Sequence, residues 1–118
     1  MAYIDGFVIP VPTGNRDAYA ALARKIAALF REYGATEVWE CWGDDVPEGK
    51  LTSFPMAVKA EPGETVVFSW VLYPSRAVRD EAARKMREDP RMAPLDPASM
   101  PFDGKRMIFG GFEVMDLS

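Results

Sequence analysis

Asp5 is the first candidate for acid–base chemistry in this chain. It alternates with Tyr3 and Phe7, so in a strand it shares a face with two aromatic rings. A carboxyl group in such surroundings has its pKa raised by desolvation, which suits a general acid or base. The structural alternative is an aspartate that bonds a backbone amide or an arginine, and the residues leave both interpretations open.

The only cysteine lies between two tryptophans in residues 37–47, EVWECWGDDVP. Glu40 either points into a cavity or forms an ion pair across the sheet, with Arg106 as the partner. Cys41 is predicted to be a small buried strand residue, because no histidine or adjacent cation activates its thiol. The aspartates at 44–45 are followed by proline and glycine, which is typical of a turn, although a cation or a substrate hydroxyl is an alternative partner for them.

Tryptophans and a pair of glycines supply the candidate ligand-binding positions. The tryptophans could wall a pocket for a flat ligand, or serve as core and dimer contacts. The two glycines of the last strand mark a bulge, a close backbone approach or a bare surface for a ligand. The catalytic candidates are Asp5, Glu40 and Glu113, and the ligand-binding candidates are Tyr3, Trp39, Trp42, Trp70, Gly110 and Gly111.

The sequence contains no histidine, and this absence excludes several kinds of site. Ser-His-Asp and Cys-His catalytic units, histidine-ligated haem and nearly all zinc and non-haem iron sites require that residue. An all-oxygen site for a hard cation would remain, but no calcium-loop spacing supports one. We therefore expect no metal and no cofactor, with any proton transfer carried by the remaining titratable side chains.

Charge and composition limit the partners and the compartment. A net charge of −4 argues against nucleic acid as a partner. The basic residues at 76, 79, 84, 85 and 87 are interleaved with acids, which predicts a solvated helix face. The opening MAYIDGF has neither a basic segment nor a long apolar run, so no signal peptide and no membrane span are predicted. A single cysteine fits a reducing, cytoplasmic location.

The elements that must position these residues follow from periodicity and turn chemistry. Apolar residues at helical spacing begin after Asn15, a predicted N-cap, and end at Gly34. Ser75 is the predicted N-cap of a second helix, which must end by Asp89 because Pro90 follows. Strands are predicted at 3–11, 36–43, 65–73 and 105–115, with a short one at 56–59 inside a long loop.

The resulting order, strand-helix-strand repeated twice, predicts a single α+β domain over residues 1–118. Right-handed crossovers place both helices on one face of an antiparallel sheet, which gives a ferredoxin-like βαββαβ sandwich. Both alternating sets of side chains in residues 65–73, TVVFSWVLY, are largely apolar, yet two helices cover only one face. An uncovered apolar face of that size favours a homodimer whose sheets pack face to face.

Four segments resemble one bacterial family along essentially the whole chain. They are YIDGFV at 3–8, ECWGDDVP at 40–47, TVVFSW at 65–70 and MPFDGKRMIFGGFE at 100–113. These segments are similar to those of DUF1428, also called the YbaA-like family. The resemblance implies a dimeric α+β barrel built from ferredoxin-like subunits, and it carries over no catalytic residues.

Two functions of different classes remain open. The first is a cytoplasmic homodimer that binds a small apolar or aromatic molecule, with cofactor-free acid–base chemistry as its possible activity. The second is a non-catalytic binding or accessory module whose signature segments build the dimer interface. A cavity of at least about 300 Å³ with a buried carboxylate would favour the first. A sheet face filled solidly by tryptophan, phenylalanine and methionine, with every acid at the surface, would favour the second.

Overall fold

The first strand lies in the interior of the sheet, between the third and the last strands. A computed structural model describes residues 1–92 and 99–117 of the chain. The four strands are ordered β2-β3-β1-β4, and every neighbouring pair is antiparallel. The elements are β1 (Tyr3–Pro12), α1 (Arg16–Glu32), β2 (Glu37–Trp42), α2 (Phe54–Ala57), β3 (Glu64–Tyr73), α3 (Arg76–Glu88) and β4 (Ile108–Glu113). The predicted βαββαβ order and antiparallel α+β sheet are confirmed.

Both long helices cover the same face of the sheet. Under α1, Tyr19 packs with Ile9, Val11 and Val67 in one buried cluster. Under α3, a second cluster is formed by Ala35, Val71, Tyr73 and Ala82. All the strand residues in these clusters have odd numbers, as the two-residue period of a strand requires for side chains on one face. Each fully buried aliphatic or aromatic side chain contributes about 1.5–3 kcal/mol.

The helix ends show which capping predictions hold. Ser75 Oγ accepts a hydrogen bond of 3.2 Å from the Val78 N–H, so the predicted N-cap of α3 is confirmed. Gly34 has a φ of 121° just after α1, a conformation that favours glycine. Asn15 occupies the N-cap position of α1 as predicted, but its side chain makes no capping hydrogen bond and donates instead to the Pro101 carbonyl at 2.9 Å. This contact ties the start of α1 to the segment that precedes β4.

One further local prediction is wrong, and one of the alternatives for the glycines of β4 is excluded. The short strand expected at 56–59 is replaced by the one-turn helix α2, because Ser53 caps it and Pro55 lies in its first turn. The glycines of β4 do not form a bulge, since β4 pairs with β1 residue by residue from Ile108 opposite Val8 to Glu113 opposite Tyr3.

The second face of the sheet carries an apolar surface that neither helix covers. This second face carries the even-numbered residues of β1, β3 and β4 and the odd-numbered residues of β2. Trp39 is 51% exposed, Phe68 45% and Phe112 59%, and Cys41 is exposed there as well, so its predicted burial is wrong for a single chain. We call this surface the open face: Ile4, Val8, Trp39, Cys41, Phe68, Trp70, Leu72, Ile108 and Phe112.

No helix in the described ranges, 1–92 and 99–117, is long and apolar enough to cross a membrane.

Candidate ligand-binding site

A cavity of about 250 Å³ lies between α1 and the covered face of the sheet. Its walls are almost entirely apolar, with four methionines among them. Methionine side chains are flexible and polarizable, and they adapt to the shape of what they contact. The lining residues are Phe7, Ile9, Tyr19, Leu22, Ala23, Ile26, Phe30, Glu40, Ser69, Val71, Met86, Met92, Met100, Phe102 and Met107.

Glu40 is the charged residue of this lining, and both its oxygens accept hydrogen bonds. Tyr19 Oη donates to Oε1 at 2.5 Å, and Ser69 Oγ donates to Oε2 at 2.7 Å. Burial raises the pKa of Tyr19 far above its ordinary value, and the bond to Glu40 raises it further. The Tyr19 hydroxyl therefore keeps its proton and remains a donor to the carboxylate at physiological pH.

Tyr19, Glu40 and Ser69 form a polar group at the cavity, and each of them comes from a different element. Glu40 on β2 and Ser69 on β3 are direct partners in the strand ladder, so their side chains lie next to each other on the covered face. Tyr19 is in the first turns of α1 and is buried against β1 and β3. Since β2 is an edge strand, Glu40 is exposed at one side of the cavity, while Tyr19 and Ser69 are buried.

The volume and lining of the cavity limit what it can hold. Pockets for drug-sized ligands measure about 300–1,000 Å³, so a cavity of 250 Å³ lies below the size expected for ligand chemistry and suits a molecule of one or two fused rings. Its carboxylate is also exposed rather than buried. Within residues 1–92 and 99–117, no three acidic or cysteine side chains are grouped so that they could hold a metal ion.

Asp5 lies on the covered face as predicted from its alternation, but it faces α3 and does not line the cavity. Its Oδ1 accepts a hydrogen bond of 3.1 Å from Nε of Arg79, with about a fifth of each side chain exposed. The Arg79 guanidinium also lies 4.8 Å from the Tyr3 ring centre and donates to Tyr3 Oη at 3.2 Å. Burial raises the pKa of Asp5, and Arg79 partly opposes that rise. Burial together with the Asp5 charge raises the pKa of Tyr73 to about 12.

The side chains of Arg79 and Tyr3 fill the space beside Gly111. A Cβ at that position would lie 2.1 Å from Arg79 Nη2 and 2.5 Å from Tyr3 Oη. Gly110 faces the other way, where the Phe112 ring lies 3.5 Å from the position of a Cβ. Glu113 is exposed at the end of β4, opposite Tyr3. The first and last strands are thus neighbours, as the joint candidacy of Asp5 and Glu113 requires.

The three tryptophans are divided between the two faces of the sheet. Trp42 lies on the covered face, packs beside the α1 cluster, and has the Arg16 guanidinium 5.3 Å from its ring centre. Trp39 and Trp70 lie on the open face with ring centres 6.1 Å apart. None of the three lines the cavity, whose aromatic residues are Phe7, Tyr19, Phe30 and Phe102.

Of the residues predicted from the sequence as catalytic or ligand-binding, Glu40 lines the cavity. Its hydrogen-bond partners, Tyr19 and Ser69, were not among those candidates. Ser69 is detectable in the sequence. Among the residues of β3 that alternate inward, which are Val67, Ser69, Val71 and Tyr73, it is the polar one apart from the tyrosine at the strand end. Tyr19 lies in the run of residues at helical spacing after Asn15, where its ring fits the apolar stripe and the sequence carries no separate signal for its hydroxyl. Arg106 does not pair with Glu40: it lies before β4 and binds Glu64 through two hydrogen bonds of 2.7 Å.

The fold and the cavity define a class of protein: a two-layer α+β protein in which an antiparallel sheet and two long helices enclose a small apolar space. Within that class, the chain belongs to the family described as "Protein of unknown function (DUF1428)", whose pattern matches residues 2–104. It is 60% identical over 113 residues to "Uncharacterized protein YbaA" of Escherichia coli K12, with 96% of each chain covered. The protein of the same name from Shigella flexneri matches equally well.

One solved structure bears on the fold. It is the "Structure of Rv0793 from Mycobacterium tuberculosis", which superposes with a TM-score of 0.52 over 98% of this chain and 97% of that one. The two sequences are 18% identical, so the likeness concerns the fold alone. It agrees with the mixed α+β architecture described above.

Proposed function

We propose that this protein binds a small, largely apolar molecule in the cavity under α1, with Glu40 as its polar contact. The observation that carries the proposal is an apolar space of about 250 Å³ with one carboxylate on its wall. Small-molecule sites typically combine mostly hydrophobic walls with a few placed polar groups, and this cavity has that composition. Under the second long helix, the carboxylate of Asp5 on β1 is already paired with Arg79.

The test is a thermal-shift and NMR screen with single-ring and two-ring aromatic probes. Ala23→Leu adds a bulky side chain to the cavity wall and should abolish the stabilisation by any probe that binds there. Ala21→Leu is the matched control, since the same atoms are added to an exposed position of the same helix. If Ala23→Leu binds the probes as well as the parent protein, the ligand lies elsewhere and the proposal fails.

Glu40 is also the candidate acid–base group if the bound molecule reacts. A carboxylate at the cavity wall can accept a proton from a bound ring substituent without any cofactor. Asp5 and Glu113 are weaker candidates, because Asp5 is paired with Arg79 and Glu113 lies at the exposed end of β4. Turnover of a bound probe that Glu40→Gln abolishes while binding persists would make the protein an enzyme. Binding without turnover would leave it a ligand-binding module.

We further propose that the chain forms a homodimer through the open face. The support is the contiguous apolar surface around Trp39, Trp70, Phe68 and Phe112, which is larger than the scattered apolar residues of ordinary surfaces. Two-fold packing of this face against a second copy would cover it and give the dimeric α+β barrel that the family resemblance implies. The free thiol of Cys41 within the face supports a reducing, cytoplasmic setting.

Sedimentation tests the dimer directly. The parent protein should sediment as a dimer at micromolar concentration, and Trp70→Lys, which places a charge on the open face, should sediment as a folded monomer. Arg24→Ala on α1 is a control that leaves the open face unchanged. A parent protein that is monomeric at micromolar concentration would overturn this proposal, without affecting the cavity. The alternative module function, in which these segments serve the interface alone, would then also lose its basis.

A further inference from the structure

We infer that the cavity selects neutral ligands that donate a hydrogen bond through an N–H or O–H group, over ligands that only accept one. This inference rests on the proposed function and specifies the chemical class of its ligand. Its basis is the direction of the hydrogen bonds around Glu40, in which every side-chain proton of the polar group is already used.

The protons of the polar group all point at one carboxylate. Tyr19 and Ser69 each carry a single hydroxyl proton, and each donates it to a different oxygen of Glu40. What this group has left to offer a ligand is therefore lone pairs: those of the two hydroxyl oxygens and the remaining ones of the carboxylate. Turning either proton toward a ligand would remove a charge-assisted bond from Glu40, and such bonds are about twice as strong as neutral ones.

The rest of the described lining supplies no competing donor. Its side chains are aliphatic, aromatic or thioether groups, and a thioether sulfur is at most a weak acceptor.

Cationic and amide side chains on the neighbouring elements do not line the cavity. Arg24 and Arg31 line an adjoining hollow between α1 and β2, which shares Ala23 and Glu40 with the cavity. The Asn15 amide donates to the Pro101 carbonyl and does not line the cavity. A ligand carbonyl, ether or carboxylate oxygen in the cavity would consequently meet acceptors, whereas an N–H or O–H would complete a bond to Glu40.

Three molecules of nearly the same shape test this selection. Indole carries an N–H donor, benzofuran an acceptor oxygen, and indene neither, so differences among them report hydrogen bonding rather than fit. Titrations are followed by the backbone amide NMR shifts of residues around Ser69, which place the probe in the cavity. We expect indole to bind at least about tenfold more tightly than benzofuran, as a hydrogen bond to a charged acceptor would give.

Substitution of the carboxylate supplies the second arm. Glu40→Gln introduces an amide that both donates and accepts, so the preference for indole should fall to about threefold or less. Glu37→Gln is the matched control: it lies on the same strand and the opposite face, and its amide oxygen can still accept the 3.1 Å bond from Trp39 Nε1. The control should keep the full preference.

The outcomes separate the two proposals. If the three probes bind the parent protein equally well and shift the same amides, the selection is wrong while ligand binding stands. If indole is preferred equally in Glu40→Gln, the donor does not contact that residue and the inference is overturned. If no probe shifts the cavity amides at any concentration, both the proposed function and this inference fail.

Discussion

Replacing Gly111 by alanine should break the contact between α3 and the sheet, whereas the same change at Gly110 should not. The new methyl carbon at 111 would lie 2.1 Å from Arg79 Nη2 and 2.7 Å from Tyr3 Cε2, inside any tolerable contact distance. The flexible arginine end and the buried Tyr3 ring would both have to shift, and the shift of the arginine takes its guanidinium away from Asp5. At Gly110 the nearest atoms are ring carbons of Phe112 at 3.5 Å, an ordinary van der Waals contact.

The size of the effect follows from what is lost and gained. A hydrogen bond to a charged partner contributes about 1.5–3 kcal/mol. Alanine in an ordered segment recovers about 0.5–1 kcal/mol relative to glycine. In the Trp70→Lys background, which removes the proposed dimer contact beside position 110, we therefore expect Gly111→Ala to lower the free energy of unfolding by about 1–2 kcal/mol, and Gly110→Ala to leave it unchanged or raised slightly. Urea unfolding at one fixed protein concentration measures both.

The pH dependence identifies the cause. Burial raises the pKa of Asp5 in the native protein and Arg79 opposes that rise, so displacing Arg79 raises the pKa further. The free-energy cost of losing the Arg79 contact falls on the ionised form of Asp5, because the neutral carboxyl group has no charge for the guanidinium to stabilise. The destabilisation of Gly111→Ala is thus fully present above the further raised pKa of Asp5 in the variant, and it is lost as the pH falls through that pKa and then through the pKa of Asp5 in the parent protein.

A double-mutant cycle completes the test. In an Arg79→Met background, Gly111→Ala should cost less than in the parent protein, because the bond it disrupts is already gone. Equal stability of Gly111→Ala and Gly110→Ala, or a cost that is independent of pH, would refute the reasoning.

Three other predictions concern single side chains. Tyr19→Phe should destabilise the protein by about 1 kcal/mol in urea unfolding, since the carboxylate it donates to lies at an edge strand where water can partly replace the hydroxyl. The hydrogen bonds from Arg106 hold the pKa of Glu64 below its ordinary value. This pair therefore stabilises the fold above the ordinary pKa of glutamate, and its contribution is lost as the pH falls through the lowered pKa. Arg106→Gln should remove this acid-dependent part of the unfolding free energy, and an unchanged pH profile would contradict the prediction. Cys41 should react slowly with an aromatic disulfide reagent in the dimer and rapidly in the monomeric open-face variant, so equal rates would count against burial of the open face.

The order and pairing of the elements could be predicted because the local sequence signals for strands and helix ends agree with the constraints on sheet topology. Alternating apolar residues define β1 and β3, Ser75 and Gly34 mark helix boundaries, and short crossovers allow few sheet orders. The predicted ends of some strands differ from the observed ends by a few residues, because a strand ends where its backbone pairing ends and residue type alone does not determine that point. β4, predicted over 105–115, pairs over Ile108–Glu113, because a 3₁₀ turn at Gly104–Arg106 precedes it.

The candidate site was less accessible to sequence reasoning because it depends on residues far apart in the chain. Tyr19 reaches Glu40 from another element, and nothing at position 19 alone announces a hydroxyl donor. Arg79 was assigned to a solvated helix face on the basis of its charged neighbours. In the structure it turns toward the sheet because the acid of β1 and the bare backbone at Gly111 leave room for its guanidinium.

The position of β1 in the sheet has a consequence for synthesis of the chain. Both neighbours of this strand come late: its residues pair with β3 and then with β4, where Tyr3 lies opposite Glu113. At about 5–20 residues per second, the ribosome needs roughly 5–20 s to produce the last partner after the first strand. During that interval an apolar strand has exposed edges, which are templates for pairing with other chains. During synthesis, β1 is therefore more open to pairing with other chains than it is in the finished sheet, where β3 and β4 occupy both of its edges.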